Sequence, residues 1–386
     1  MLPIHPQPQQ DELLSSWMVR LAFANGFFAH SFYSYVLNCP FPIWTRDIDR
    51  HPPQGLFDVL SAATGQNESV LRQLTLEAYQ GHLFDSLVVS GNSRWVLPVG
   101  VHHRERTSPG LQFCPKCLSE DKAPYFRRKW RLALFALCEK HGCLLLDRCP
   151  NCGAFISYHR HGVKNRSISI PTLGIEFCWS CQFDLRLSPS LFPRELRSDL
   201  VSRYLRLLKD FEKGPACLNK IRFPMAISFY NGIWCIASAI LGHRGGGMRY
   251  KLSKELDVGL DILSSSSKSS GVEYLSIFDR LVLMISILWL IAFWPQRLVK
   301  MAKNSRLSIS SFSDHSSELP YWLGHVVNDY LTHKVYIPSL EESISVGNYI
   351  QSTKEDVRVE DFMDVLDVSK GVARSELLTW KEHRGD

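Results

Sequence analysis

No Gly-Lys-Ser/Thr follows a glycine-rich turn anywhere in the 386 residues, which excludes a P-loop. Neither HExxH nor a Gly-x-Ser-x-Gly elbow occurs, so the zincin and α/β-hydrolase sites are excluded as well. A nuclease or transposase of the RNase H type needs three carboxylates on a βαβ scaffold to hold two metal ions. Acidic residues are plentiful, but no strand–helix alternation is present to carry them. These absences point away from an enzyme. Long hydrophobic runs are also missing. The longest, Leu281 to Trp294, has 14 residues broken only by Ser286. A spanning helix takes about 20, so a buried helix over 277–294, stopped by Pro295, is expected instead. The opening stretch, MLPIHPQPQQDELLSS, has no positive n-region and no apolar core. The chain is therefore expected to stay in the cytoplasm, with no membrane partner.

The chain does have apolar material. Hydrophobic residues make up 45% and charged residues 21%, enough for real cores and too ordered a composition for wholesale disorder. The length suits two or three domains. A formal charge of +6 is compatible with a nucleic-acid partner but too mild to require one.

Cysteine is the informative residue. The 11 cysteines include CPKC (114–117), CPNC (149–152) and CWSC (178–181), and CEKH (138–141) repeats the spacing with a histidine. A Cys-x-x-Cys turn lets two thiolates converge on one tetrahedral ion about 2.3 Å away, and one such pair is half a site. Cys114 and Cys117 with Cys138 and His141 make one set of four; Cys149 and Cys152 with Cys178 and Cys181 make another. A crossed assignment of the pairs is the alternative. Thiolate and imidazole favour zinc. A redox dithiol normally needs one pair rather than four, and His141 counts against an iron–sulfur cluster. Both sites are saturated, so the two zinc ions are expected to be structural, with no position for an activated water. Cys143 is left over, as a core residue.

Zinc is needed because the short strands expected within 100–190 (CLLLDRC, AFISYHR, IEFC) bury too little surface alone. Between the halves of the first site, Arg127, Arg128, Lys129 and Arg131 interleave with Tyr125, Phe126 and Trp130. That pattern suits phosphate contact and stacking, although a solvated basic face with Trp130 in the core fits it too.

Near the start, Asp11 is placed to cap a helix carrying Leu14, Trp17, Leu21 and Ala24 on one face and closed by Asn25-Gly26. A second helix is expected over Ala29–Leu37, which gives a helix-turn-helix outline. Further on, 191–260 reads as helical, with 194–214 carrying Leu196, Leu200, Tyr204, Leu207 and Leu208 near helical period and ending at Gly214. GHRGGGMRYK (242–251) reads as a loop, 263–271 as a flexible connection and 305–317 as a serine-rich loop. In the tail, Phe362, Val365 and Leu366 fit a short helix, and Ala373, Leu377 and Leu378 fit a second. Lys370 and Arg374 lie near the start of the second helix, where a recognition helix meets DNA. Asp361, Asp364 and Asp367 oppose that role, and a hairpin packed on the body is the competing reading.

Together, DELLSSWMVRLAFANG, IWTRDIDR, WVLPVG, GLQFCPKCLSED and PYFRRKWRLALFALCEKHGCLLLDRCPNCG resemble the N-terminal half of the TniQ family, over roughly residues 1–190. Proline usually follows the cysteine of the third pair, and Glu139 stands there instead, which bears on the turn but not on the ligands. The resemblance implies a bacterial target-selection adaptor for DNA transposition. Such a protein binds target DNA directly, or docks on a recognition complex that in some systems is RNA-guided CRISPR machinery, where it acts as a homodimer. It then recruits an AAA+ ATPase regulator and through it the transposase. A zinc-ribbon, helix-turn-helix transcription regulator would share these sequence features. The expected fold is mixed but mainly α. Its domains are an N-terminal helix-turn-helix-like module (1–100), tandem zinc ribbons (101–190), a helical domain (191–350) and a C-terminal helical hairpin (351–386).

Overall fold

The computed structural model describes residues 1–88, 91–102, 105–163, 170–213, 217–218, 221–223, 225–258, 271–313, 318–331 and 337–385. They fall into two compact units, Met1–Leu331 and Thr332–Asp386.

In the first unit α1 (Leu14–Ala24) is buried almost all round, serines included. A helix with no wet face is a core helix. Its start differs from expectation, because Asp11 does not cap it. Asp11 sits at φ +58°, and Leu13 occupies the capping position without a side-chain bond. The free N–H groups of the first turn find distant partners instead: Leu13 N donates to Phe126 O, Leu14 N to Leu74 O, and Ser15 N to Asp49 Oδ1 at 2.7 Å. The helix ends as expected, with Gly26 at φ +80°. The second helix, α2 (Ala29–Ser31), widens into a π-turn over Phe32–Val36.

Next come α3 (Leu56–Thr64) and α4 (Glu68–Arg72). Strand is scarce. β1 (Val101–His102) pairs with β2 (Glu105–Arg106), and farther on β3 (Cys217–Leu218) pairs with β4 (Ile221–Arg222), both antiparallel. Where the short strands CLLLDRC, AFISYHR and IEFC are expected within 100–190, the structure has single antiparallel bridges, Phe113↔Leu146, Leu137↔Leu144, Arg148↔Phe155 and Phe177↔Asp184. Such ribbons are too short to hold themselves.

Helices make up the rest of this unit: α5 (Pro115–Glu120), α6 (Ser198–Lys209), α7 (Ala226–Leu241), α8 (Gly246–Leu256), α9 (Ile277–Ala292), α10 (Gln296–Asn304), α11 (Ile309–Ser313) and α12 (Tyr321–Leu331). The helix expected over 194–214 is α6, shorter at both ends, with Gly214 outside the described residues. The segment 242–251 is not a loop. A 3₁₀ turn at His243–Gly245 leads directly into α8, which buries Met248, Leu252 and Leu256 at intervals of four. Gly245 permits the close turn, since a Cβ there would lie 2.1 Å from the Ile240 carbonyl oxygen. The serine-rich stretch contains α11, and most of 263–271 falls outside the described residues. As expected, α9 is buried along nearly its whole length and stops before Pro295. No single helix among the described residues is long and apolar enough to cross a membrane. The pair α9 and α10 meets that test only together, bent by 114°. One apolar core runs from Leu13 to Leu331 and draws on residues 1–100, 101–190 and 191–331 alike.

The second unit holds α13 (Leu340–Thr353), α14 (Val359–Leu366) and α15 (Lys370–Arg384). Between the last two the chain turns at Asp367 with φ +49°. The first is an addition, so the unit begins before residue 351. Its Gly347 lies under Trp380, where a Cβ would come within 2.3 Å of the indole. Trp380 Nε1 also donates to Asn348 at 3.1 Å, which ties α13 to α15.

Candidate metal centres

Three of the four ligand pairs sit in the same kind of turn. Cys138, Cys149 and Cys178 each accept, at their carbonyl, the N–H of the residue four places on: Gly142, Gly153 and Gln182. Those residues take φ +68°, +70° and +62°. Each turn is closed on the other side, with Cys138 N donating to Cys143 O, Cys149 N to Ala154 O and Cys178 N to Phe183 O. The fourth pair is built differently. Cys114 is the capping residue of α5, Pro115 its first helical residue, and Cys117 projects from the first turn. Glu139 leaves its turn undistorted and accepts from Lys129 Nζ at 2.8 Å.

These turns bring the ligand atoms together in two sets of four, Cys114, Cys117, Cys138 and His141, and Cys149, Cys152, Cys178 and Cys181, each within 4.8 Å. A tetrahedral zinc with Zn–S near 2.3 Å and Zn–N near 2.0 Å sets S···S at about 3.8 Å and S···N at about 3.5 Å. In the first set, Cys117 Sγ lies 3.6 Å from Cys138 Sγ, and His141 Nδ1 lies 3.4 to 3.5 Å from the three thiols. In the second, Cys149 and Cys181 are 3.6 Å apart, and Cys152 and Cys178 are 3.7 Å apart. Both clusters fit a structural zinc ion, and four protein ligands leave neither with an open position. Cys143, the spare thiol, is buried 3.6 Å from Cys114 Sγ.

The sequence did not single out Glu120. Its carboxylate lies 2.9 Å from His141 Nε2, the nitrogen that faces away from the cluster. Such a partner fixes the tautomer and aims Nδ1 at the metal. Glu120→Gln is expected to weaken zinc at the first site about 10- to 100-fold and leave the second unchanged. Competition of wild type and variant against a chromophoric chelator separates the two sites; equal loss at both, or none, contradicts the assignment.

Residues 3–145 match the TniQ family model. This chain carries a TniQ domain. The match contains the whole first cluster and stops before Cys149. A search among curated proteins found no match to the chain. The TniQ domain associates the protein with DNA transposition.

Within the TniQ domain, the basic and aromatic stretch faces inward. Arg127 makes a bidentate pair with Asp121 at 2.8 and 3.1 Å and stacks between Tyr125 and Trp130. Arg128 meets Asp11 at 3.2 Å, and Lys129 meets Glu139. Arg131 is fully buried, with Asp47 at 2.6 Å, Asp49 at 3.3 Å and the Leu97 carbonyl at 3.1 Å. Burial pushes the Asp49 carboxyl up to about 6 against the pull of Arg131, and the Asp47 charge pushes it the same way. Trp130 is in the core. All four cations thus have carboxylate partners, and this stretch holds the N-terminal helix against the first metal turn. In the second unit Lys370 lies 3.4 Å from Glu360, and Arg374 is exposed on the same helix.

Proposed function

We propose that this protein is a non-catalytic adaptor for target selection in DNA transposition. It binds target DNA or a recognition complex and recruits the AAA+ ATPase regulator, which in turn engages the transposase. The TniQ domain carries this reading. Two closed metal clusters support it, because they make zinc a scaffold rather than a reagent. Residues 114–117 and 138–141 lock a rigid middle on which the two N-terminal helices are mounted. The same bacterial element is expected to supply the partners.

Affinity capture tests this. The tagged, zinc-loaded protein is expected to retain the transposon ATPase in the presence of ATP and target DNA, and a Cys149→Ser chain is expected to lose it. Tight binding to one operator-like duplex with no capture of the ATPase would overturn the reading in favour of a transcription regulator.

A further inference from the structure

The cations of the 127–131 stretch are neutralised internally, yet residues 1–331 carry 37 Lys and Arg against 27 Asp and Glu. Residues 332–386 carry 7 against 11, so the positive excess lies entirely in the first unit. Part of it collects on α10. From Leu281 to Ser313 there is no Asp or Glu, and Arg297, Lys300, Lys303 and Arg306 follow at every third residue. On α10 the first three lie within about 120° of arc, away from the buried Leu298, Met301 and Ala302, and Arg306 follows just past the helix end at φ +54°. The neighbouring helix adds Lys251, whose ammonium donates to the Asn304 carbonyl at the end of α10. Arg203 of α6 lies within electrostatic reach of Arg297.

No ion pair among the described residues holds any of these six cations. The acidic group within reach of Arg297 is Glu255, set against two like charges, Arg197 and Arg203. Arg197 has its own carboxylate partner, Asp199, at 3.2 Å. Arg297 is held in place: its guanidinium donates to Trp289 O at 3.0 Å and lies over the Trp289 and Phe293 rings at 4.3 and 4.1 Å. Lys303 lies over Tyr330 at 5.9 Å. A fold that pairs its cations elsewhere has left a row of them together, anchored on aromatic rings and a helix end. Mutual repulsion makes such a row unfavourable until an anion meets it.

We propose that α10, with Lys251 of α8 and Arg203 of α6, is a phosphate-binding surface for duplex DNA. It positions the protein on the backbone without reading bases. This deepens the transposition reading and rests on it for the choice of DNA as the polyanion.

The test uses full-length, zinc-saturated protein and a random-sequence duplex, with binding followed by anisotropy across a salt series. Each phosphate contact adds about 0.9 to the slope of log K against log salt. Lys300→Gln with Lys303→Gln and Arg306→Gln is expected to lower that slope by about 2.7 and weaken binding about 100-fold or more near 0.1 M salt. The control triple Arg46→Gln, Lys122→Gln and Lys213→Gln removes the same charge elsewhere on the first unit and is expected to change the slope little. Equal losses in both triples, or none in the first, overturn the surface. A wild-type chain that binds polyglutamate but not duplex overturns it in favour of an acidic protein partner. Retention of the ATPase by the first triple would show that the adaptor reading survives failure of this surface.

Discussion

Removing zinc will unfold the middle of the first unit rather than slow a reaction. A structural zinc contributes about 10–16 kcal/mol in small zinc peptides. A domain's whole stability is about 5–15 kcal/mol, so the loss of either ion is expected to exceed what the surrounding contacts offset. The ribbons around both clusters consist of single bridges, so little strand pairing joins one ligand turn to the next. Cys114, Cys117 and Cys138 are themselves core residues, so the first site and the apolar core should fail together. The second site is more open, with Cys152 exposed and Cys181 half-buried. A chelator should therefore take that ion first. Metal analysis should find two zinc ions per chain, released in two phases, with near-ultraviolet dichroism falling in each. Cys114→Ser is expected to give no soluble full-length protein, or protein lacking the folded first unit. A soluble, folded chain carrying Cys149→Ser and Cys152→Ser that still recruits its partner would refute the scaffold role.

The metal sites were legible because a ligand pair is a local object: two side chains, one turn, four residues. Even the allocation between the two centres followed chain order. The resemblance to TniQ was legible for the same reason, since its motifs are contiguous. What the sequence concealed was partnership over distance. The stretch from Arg127 to Arg131 looks like a nucleic-acid surface until Asp11, Asp47 and Asp49, some 80 to 120 residues away, are brought to it. Asp11 looks like a helix cap until Arg128 claims it. The glycines at 245–247 look like a loop, because glycine that permits a close turn cannot be told from glycine that permits freedom. The cations of α10 sit in an apolar stretch of sequence, and only the absence of a carboxylate beside them among the described residues distinguishes them.

Arg131→Ala separates these two kinds of cation. The buried guanidinium compensates Asp49, which is itself fully buried and bonded to Ser15 at both its backbone N–H and its hydroxyl. Ser15 Oγ continues the network to Tyr158 OH at 2.5 Å, close to the second metal site in sequence. Removing one partner of a buried pair typically costs about 3–5 kcal/mol, because the remaining charge stays desolvated. The variant should therefore lose that much in urea unfolding at pH 7.5, with little change in the salt slope for DNA. Its pH dependence has a definite sign. Asp49 holds its proton to about pH 6 in the folded chain, above the ordinary 3.8, so the folded state binds more protons than the unfolded across that window. Stability from this group therefore falls as pH rises from about 4 to about 6. Without Arg131, burial and the Asp47 charge act unopposed and the carboxyl moves higher still. The gap between wild type and variant should then narrow at pH 5.5, measured with zinc in excess. Arg131→Ala with undiminished stability and a salt slope lowered by about 0.9 would instead make Arg131 a phosphate contact and the buried network incidental.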